Sequence, residues 1–236
     1  MNLLEIKDLT SGYEGVQILW GVNLRLEQGK LTTLVGSNGV GKTTLLSTAM
    51  GLLRPWQGTV TFAGQDVTNL PAYARAKAGM VLVPEGRQLF TDMTVLENLE
   101  MGAFSKRARA SFQKNLDQVF ELFPRLKERA KQKAGTLSGG EQQMVAVARG
   151  LMAEPEILIL DELSLGLSPL LALTLFESLT QLKKTGLTML LVEQNVSMAL
   201  AVSDYAYVLA EGRVHLQGPA RDLLKNDEVK RTYLGI

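Results

Sequence analysis

Four short runs along the chain are almost wholly apolar: LTTLV (31–35), MVLV (80–83), ILIL (157–160) and MLLV (189–192). None alternates cleanly with polar residues. Continuous apolar strands of this length suit a sheet covered on both faces. Helical patterns lie between them, which predicts an α/β core with a largely parallel sheet. The N-terminal region differs. VNLRL (22–26) and TVTF (59–62) alternate, and this predicts half-exposed antiparallel strands flanking the main sheet. The middle, about 86–151, reads as helical. TVLE (94–97) has the spacing of a capping box. Phe112, Leu116, Val119, Phe120 and Phe123 share one helical face ahead of Pro124, and that stripe is expected to pack into a core. The chain's single histidine, His215, sits in GRVHLQG, a late strand, where a structural role is expected.

Composition narrows the classes. With 236 residues, 46% of them hydrophobic, the chain is long enough for one large domain with a sizeable core. Its 25 basic and 24 acidic residues leave a net charge of +1, so no nucleic-acid partner held by bulk charge is expected. The absence of cysteine excludes disulfides and Cys-based metal sites. No apolar run approaches the ~18 residues of a membrane span, and MNLLEIKDLT lacks an apolar signal core. A soluble protein is expected, attached to a membrane only through a partner.

Candidate chemistry begins where LTTLV ends. GSNGVGKTT supplies Gly36, Ser37, Asn38, Gly39, Val40, Gly41, Lys42, Thr43 and Thr44, and a helix-like TTLLSTAMGL follows. This is G-x-x-x-x-G-K-[ST] in the strand–loop–helix setting that the motif requires. Its glycines let backbone N–H groups face phosphate oxygens, and the helix dipole adds to the same attraction. Lys42 would reach the β- and γ-phosphates, and the Thr43 hydroxyl would bind Mg²⁺. ILILDE (157–162) then delivers Asp161 and Glu162 to a strand's carboxyl end, where ligands of open α/β sheets bind. Asp161 would hold the Mg²⁺ shell, and Glu162 would act as general base on the attacking water. LSGGEQQ (137–143) opens another helix. Ser138 and Glu141 have capping-box spacing, and Gly139 and Gly140 leave the helix end open to an anion. A second phosphate-binding end raises the question of a second nucleotide or a second chain.

In LSGGEQQ, placed between the phosphate loop and ILILDE, the chain resembles the ATP-binding-cassette ATPases, and the resemblance runs over essentially its whole length. It implies a phosphate-loop NTPase fold: a RecA-like core, an N-terminal antiparallel β subdomain and a helical subdomain. The chain would be a single cassette, with the core at about 1–85 and 152–236 and the helical part at about 86–151. It also implies two cassettes, identical or paralogous, paired head to tail. Ser138 and Gly140 would then contact the γ-phosphate of ATP held by the partner. Tyr13 matches the aromatic residue that stacks on adenine, and SLGL (164–167) matches the loop that touches the opposite cassette. The family usually carries a histidine after the catalytic glutamate's neighbouring strand. Here that place falls to Gln194, whose amide can donate to a phosphate but cannot titrate near neutral pH. Leu163 stands where the family has proline, which suggests a freer turn around Glu162.

VPEGR…LF…MTVLENL…MG (83–102), the VEQN ending and a C-terminal YLG are similar to the smaller ATPase subunit of branched-chain amino-acid importers. Glu85 occupies the place where cassettes usually carry a glutamine that meets Mg²⁺ and the membrane partner. The resemblance implies an ATP- and Mg²⁺-dependent motor peripheral to the cytoplasmic face of the inner membrane. Two transmembrane permease subunits and, indirectly, a solute-binding protein would be its partners. Cassettes for urea, short amides and other amino acids share these motifs. Cassettes that act on DNA or ribosomes generally carry two phosphate loops or a long coiled coil, and this chain has neither. A regulatory module without turnover is disfavoured by Glu162.

Overall fold

The computed structural model describes residues 1–229 and 231. The YLG at 233–235 lies outside the described residues. In chain order, strands β1 (Asn2–Tyr13) and β2 (Val16–Glu27) form a hairpin. Its two turn residues, Glu14 and Gly15, both take positive φ, 46° and 84°, as a tight turn between twisted strands requires. Then come β3 (Leu31–Val35), α1 (Lys42–Ala49), β4 (Gln57–Phe62), β5 (Gln65–Asp66), α2 (Ala72–Lys77) and β6 (Met80–Val83). The helical stretch comprises α3 (Val95–Gly102), α4 (Lys106–Ala110), α5 (Phe112–Leu122), α6 (Pro124–Glu128) and α7 (Gly139–Leu151). The chain returns through β7 (Ile157–Asp161), α8 (Pro169–Lys184), β8 (Thr188–Glu193), α9 (Val196–Val202), β9 (Tyr205–Ala210), β10 (Arg213–Pro219), α10 (Ala220–Leu223) and α11 (Asp227–Val229).

The strands form two sheets. One is antiparallel, ordered β2-β1-β4-β5. The other is ordered β10-β9-β3-β8-β7-β6, parallel from β9 through β6 with β10 antiparallel at its edge. The apolar runs explain the second sheet. Successive strand residues point to opposite faces, so a strand covered on both faces has no polar side to show. In β7, Leu158 and Leu160 enter one core, with the helices, while Ile157 and Ile159 enter the other, beneath α1 and the antiparallel sheet. β8 divides in the same way, with Met189 and Leu191 on one face and Leu190 and Val192 on the other. The alternating VNLRL and TVTF lie in β2 and β4, with Val22, Leu24, Leu26, Val60 and Phe62 buried and Asn23, Arg25 and Thr59 exposed.

The expected helical stripe packs as anticipated. Leu116, Val119 and Phe123 are buried, and Phe112 and Phe120 lie against the same core. Pro124 does more than stop α5. The backbone breaks at Phe123, and Pro124 restarts the helix as the first residue of α6, a position where its missing N–H costs nothing. The box at 94–97 forms: Thr94 N–H donates to Glu97 at 2.7 Å, and Glu97 N–H to Thr94 Oγ1 at 3.2 Å.

Arg75 is the largest polar commitment away from the strand ends. It is 1% exposed, with no carboxylate partner among the described residues. Its guanidinium donates to four backbone oxygens: Thr48 at 2.9 Å, Ala49 at 2.6 Å, Thr68 at 2.8 Å and Leu70 at 2.9 Å. It thereby closes the C-terminal end of α1, the helix that begins at Lys42, and pins it to the following loop. Cations suit that end of a helix. Arg75→Ala leaves these acceptors unpaired and is expected to cost roughly 2–4 kcal/mol of stability, read as a lower urea midpoint by circular dichroism. An unchanged midpoint would show that the guanidinium is replaceable there.

Candidate functional site

The loop between β3 and α1 is shaped by backbone contacts. A Cβ at Gly36 would lie 2.5 Å from the carbonyl oxygen of Leu209, so only glycine lets this loop start against β9. Gly41 caps α1 at φ 107° without a side-chain hydrogen bond, leaving the first-turn N–H groups open. Lys42 folds back over the loop, its Nζ donating to the carbonyls of Gly36 at 2.9 Å and Ser37 at 3.1 Å. Val40 is tied to the β9–β10 turn, accepting from Gly212 N–H at 3.0 Å.

Lys42 also pairs with Glu162. Its Nζ lies 3.3 Å from Glu162 Oε1, and both side chains are almost fully covered. Glu162 follows β7 in the left-handed region, φ 47°, where a non-glycine residue is strained. Its N–H donates to Val192 O at 2.8 Å, and its second carboxylate oxygen accepts from Gln194 Nε2 at 2.5 Å. Leu163 does not free this turn as the missing proline ring suggested. Its side chain is 0% exposed and belongs to the helix-side core, so burial anchors the turn instead.

The three polar residues that end MLLV each have a task. Gln194 holds Glu162. Asn195 caps α9, its Oδ1 accepting from Met198 N–H at 3.2 Å. Glu193, 1% exposed, accepts from Ser164 N–H at 3.0 Å and Ser164 Oγ at 2.7 Å. Burial pushes the Glu193 carboxyl above its ordinary range, the two Ser164 bonds pull it back, and the charge of Glu162 adds to the rise. Sequence reasoning passed over Glu193. The available signal was a carboxylate closing a wholly apolar strand, a burial that requires a partner.

Asp161, the last residue of β7, is 5% exposed, and its Oδ1 has no hydrogen-bond partner among the described residues. Burial, followed by the negative charges of Glu162 and Glu85, pushes its carboxyl up to about 6, against the pull of Lys42. An orphaned buried carboxylate oxygen fits a divalent cation. Among the described residues, no group of three His, Cys, Asp or Glu could hold a metal by itself. Mg²⁺ asks less, since it commonly takes one or two carboxylates and fills its shell with phosphate and water. Asp161 and the Thr43 hydroxyl, with Glu85 nearby, fit that donor set.

Lys42, Thr43, Glu162 and Gln194 meet at a cavity of about 360 Å³ lined also by Tyr13, Ile18, Asn38, Gly39, Gly41, Thr44, Glu85 and Leu165; Gly36, Ser37, Val40 and Asp161 are not part of that lining. Tyr13 stands at the tip of β1, 47% exposed, with its ring free to meet a planar ligand. A larger cavity, about 680 Å³, lies between α5, the end of α7 and α8, and shares no residue with this one. The smaller one concentrates the phosphate loop, the acids and the amide, so chemistry rather than size selects it.

Ser138, Gly139 and Gly140 do not line that cavity. They start α7. Ser138 is its N-cap, its N–H and Oγ both donating to Glu141 Oε2, at 3.0 and 2.8 Å. A Cβ on Gly140 would meet the Leu171 side chain at 2.7 Å, and one on Gly139 the Arg87 guanidinium at 3.0 Å. His215 lies on β10, half exposed, 2.7 Å from Glu228, and is not part of the cavity lining.

Comparison with known proteins gives this geometry a context. Residues 19–164 match the model of the family described as ABC transporter. The high-affinity branched-chain amino acid transport ATP-binding protein BraG of Pseudomonas aeruginosa is 43% identical, over 99% of this chain and 100% of its own. The lipopolysaccharide export system ATP-binding protein LptB of Escherichia coli is 32% identical, over 100% of this chain and 98% of its own. Among solved structures, the ADP conformation of an ATP-binding cassette of an ABC transporter has a TM-score of 0.85 at 28% identity, covering 100% of both chains. A dimeric post-hydrolysis cassette bound to ADP and Pi has a TM-score of 0.78 at 26% identity, covering 92% of this chain and 99% of that one.

The raised Asp161 carboxyl makes a stability test. Its folded pKa lies above its unfolded one, so folding favours the protonated form, and stability falls as pH rises from about 4 to 6. Asp161→Asn removes that penalty. The variant is expected to melt a few degrees higher than the wild type at about pH 8 and to gain little near pH 4. Equal melting temperatures at both pH values by scanning fluorimetry would overturn the strained-carboxylate account.

Proposed function

Since the chain belongs to the ATP-binding subunits of ABC transporters and is an ATPase, we propose that it energises uptake of branched-chain amino acids across the cytoplasmic membrane. It works as one of two cassettes, head to tail, at the cytoplasmic face beneath two membrane-spanning subunits fed by a solute-binding protein. The observation that carries the chemical half is Glu162 held between Lys42 at 3.3 Å and Gln194 at 2.5 Å. A base, a phosphate-binding cation and a neutral amide donor meet at the carboxyl ends of the parallel strands.

The residue roles follow from that meeting. Adenine stacks on Tyr13. Backbone N–H groups from Gly36 to Thr44 receive the phosphates at the open end of α1. Phosphate oxygens compete with Glu162 for Lys42, and the carboxylate so released takes the proton of the attacking water. Gln194 donates its amide N–H to the γ-phosphate. Thr43 and Asp161, with Glu85 nearby, would hold Mg²⁺, which would supply positive charge to offset that of the phosphates.

Ser138, Gly139 and Gly140 act on the partner's ATP. This reading is supported by their position away from the chain's own cavity and by the dimeric ADP-bound relative. The chain divides into a core, about 1–85 and 152–236, and a helical lobe, about 86–151. Arg107 of the lobe joins Glu154 and Glu156 of the core across that division. Exposed Phe90, Met101 and Phe104 line a shallow apolar cavity with Val83 and Ala146, a face suited to a membrane subunit.

Branched-chain specificity and inward direction rest on the 43% identity to BraG and on the VPEGR segment. LptB, at 32%, is an export-system protein, and urea or short amides are the other solutes to test. Three experiments examine the proposal. Glu162→Gln is expected to bind ATP, accumulate as a dimer and lose at least about a hundredfold in kcat; an unaltered rate would remove Glu162 as the base. Gln194→Ala is expected to slow turnover while MgADP affinity stays within about twofold, and parallel loss of both would make it a fold support. Reconstitution with its membrane subunits should give ATP-dependent leucine or isoleucine uptake. Transport of urea alone, or outward transport, would overturn the solute and direction.

A further inference from the structure

β8 fastens the turn after β7 through three successive residues. Val192 O accepts from Glu162 N–H at 2.8 Å, Glu193 accepts twice from Ser164 at 3.0 and 2.7 Å, and Gln194 donates to Glu162 at 2.5 Å. Two of these contacts fall on Glu162 itself. The third falls two residues later, in the segment that carries Leu165, which lines the nucleotide cavity and is 53% exposed. Besides Ser164, the Glu193 carboxylate is drawn on by the backbone N–H of Gln194, the residue that holds Glu162. Glu193 is 1% exposed and has no cation partner among the described residues, and an apolar residue would fill the same strand position more cheaply. A buried carboxylate whose side-chain bonds reach the serine two residues past the reacting acid, and the backbone of the residue that holds that acid, is placed to serve the reaction.

We infer that Glu193 is a positioning residue for hydrolysis: by clamping Ser164 it fixes the turn 162–165, and so sets where the Glu162 carboxylate and Leu165 stand against the nucleotide. The inference rests on Glu162 as the general base. Glu162 sits at φ 47°, a strained conformation that persists only if its surroundings hold it on both sides. Leu163 anchors the turn by burial but controls neither rotation nor height above the strand end. The two Ser164 bonds do. Neither Glu193 nor Ser164 lines the cavity, so neither contacts the nucleotide directly.

The test is the split between affinity, turnover and stability. Glu193→Leu is expected to keep or raise the melting temperature, because a buried charge is gone, and to leave KM for ATP within about twofold while kcat falls about tenfold or more. Glu193→Gln, whose Oε1 can accept from Ser164 N–H and whose Nε2 can donate to Ser164 Oγ, is expected to hold kcat within about twofold of wild type. A Glu193→Leu protein with wild-type kcat, or a Glu193→Gln protein as slow as Glu193→Leu, overturns the inference. If Glu193→Leu does not fold, Ser164→Ala decides: it loses one of the two bonds, and kcat should drop about threefold at unaltered KM, whereas no change overturns the clamp. Glu162→Gln run in parallel separates the two levels. A dead Glu162→Gln beside a fully active Glu193→Leu rejects only the clamp, while an active Glu162→Gln rejects the base assignment beneath it.

Discussion

Everything at the site depends on the register of three parallel strands. Val35 is level with Glu193, and Asp161 is level with Val192. The loop after β3, the turn after β7 and the end of β8 therefore leave the sheet at one height, and Lys42, Glu162 and Gln194 can touch although they are far apart in the chain. Slipping one strand by a single residue would exchange its two faces. In β7 and β8 both faces are packed, so a slip would disturb two cores at once. The same continuous burial that makes these strands stable therefore fixes the geometry of the acids at their ends.

That arrangement is costly. Asp161, Glu162 and Glu193 crowd the strand ends, and Lys42 is the one cation in contact with any of them among the described residues. One aspartate oxygen is left without a partner. Glu162 is strained in its backbone. Such features are offset elsewhere, by the two cores and by Arg75, which closes the far end of the helix bearing Lys42. The helix that begins at Lys42 is thus open at its N-terminus, where the proposed phosphates would sit, and sealed at its C-terminus.

The parallel strands were legible because burial on both faces leaves an unbroken apolar run, and the phosphate loop because glycine, lysine and threonine at fixed spacing have few other uses. β1 was not read. Its register shifts near Ile6–Leu9 and the left-handed Asp8, φ 49°, break the period of two that marks a strand. Glu193 was missed because its partner lies 29 residues earlier in the chain, and a side-chain contact of that span leaves no local pattern. Leu163 was misjudged for a related reason. The sequence shows that a proline ring is absent, but not that a fully buried pocket holds the leucine in its place. Local rules describe what a residue allows its own backbone; tertiary packing decides whether that freedom survives.

Gln194 carries the last consequence. An imidazole beside Glu162 could share or store a proton, and turnover would then depend on its titration. An amide cannot, yet it donates a hydrogen bond as well. With Gln194 neutral throughout, the proposed mechanism leaves the Lys42–Glu162 ion pair as the element that would sense the nucleotide. The lysine cannot serve the carboxylate and a triphosphate equally, because a triphosphate carries more charge than one carboxylate. On the proposed roles, arriving phosphates would draw the cation from Glu162 and free the base when its substrate is in place. Gln194, still bonded to the second carboxylate oxygen, keeps the released group from swinging away. On that reading proton transfer falls to Glu162 alone, and the neighbouring charge of Lys42, 3.3 Å away, decides when the carboxylate is released.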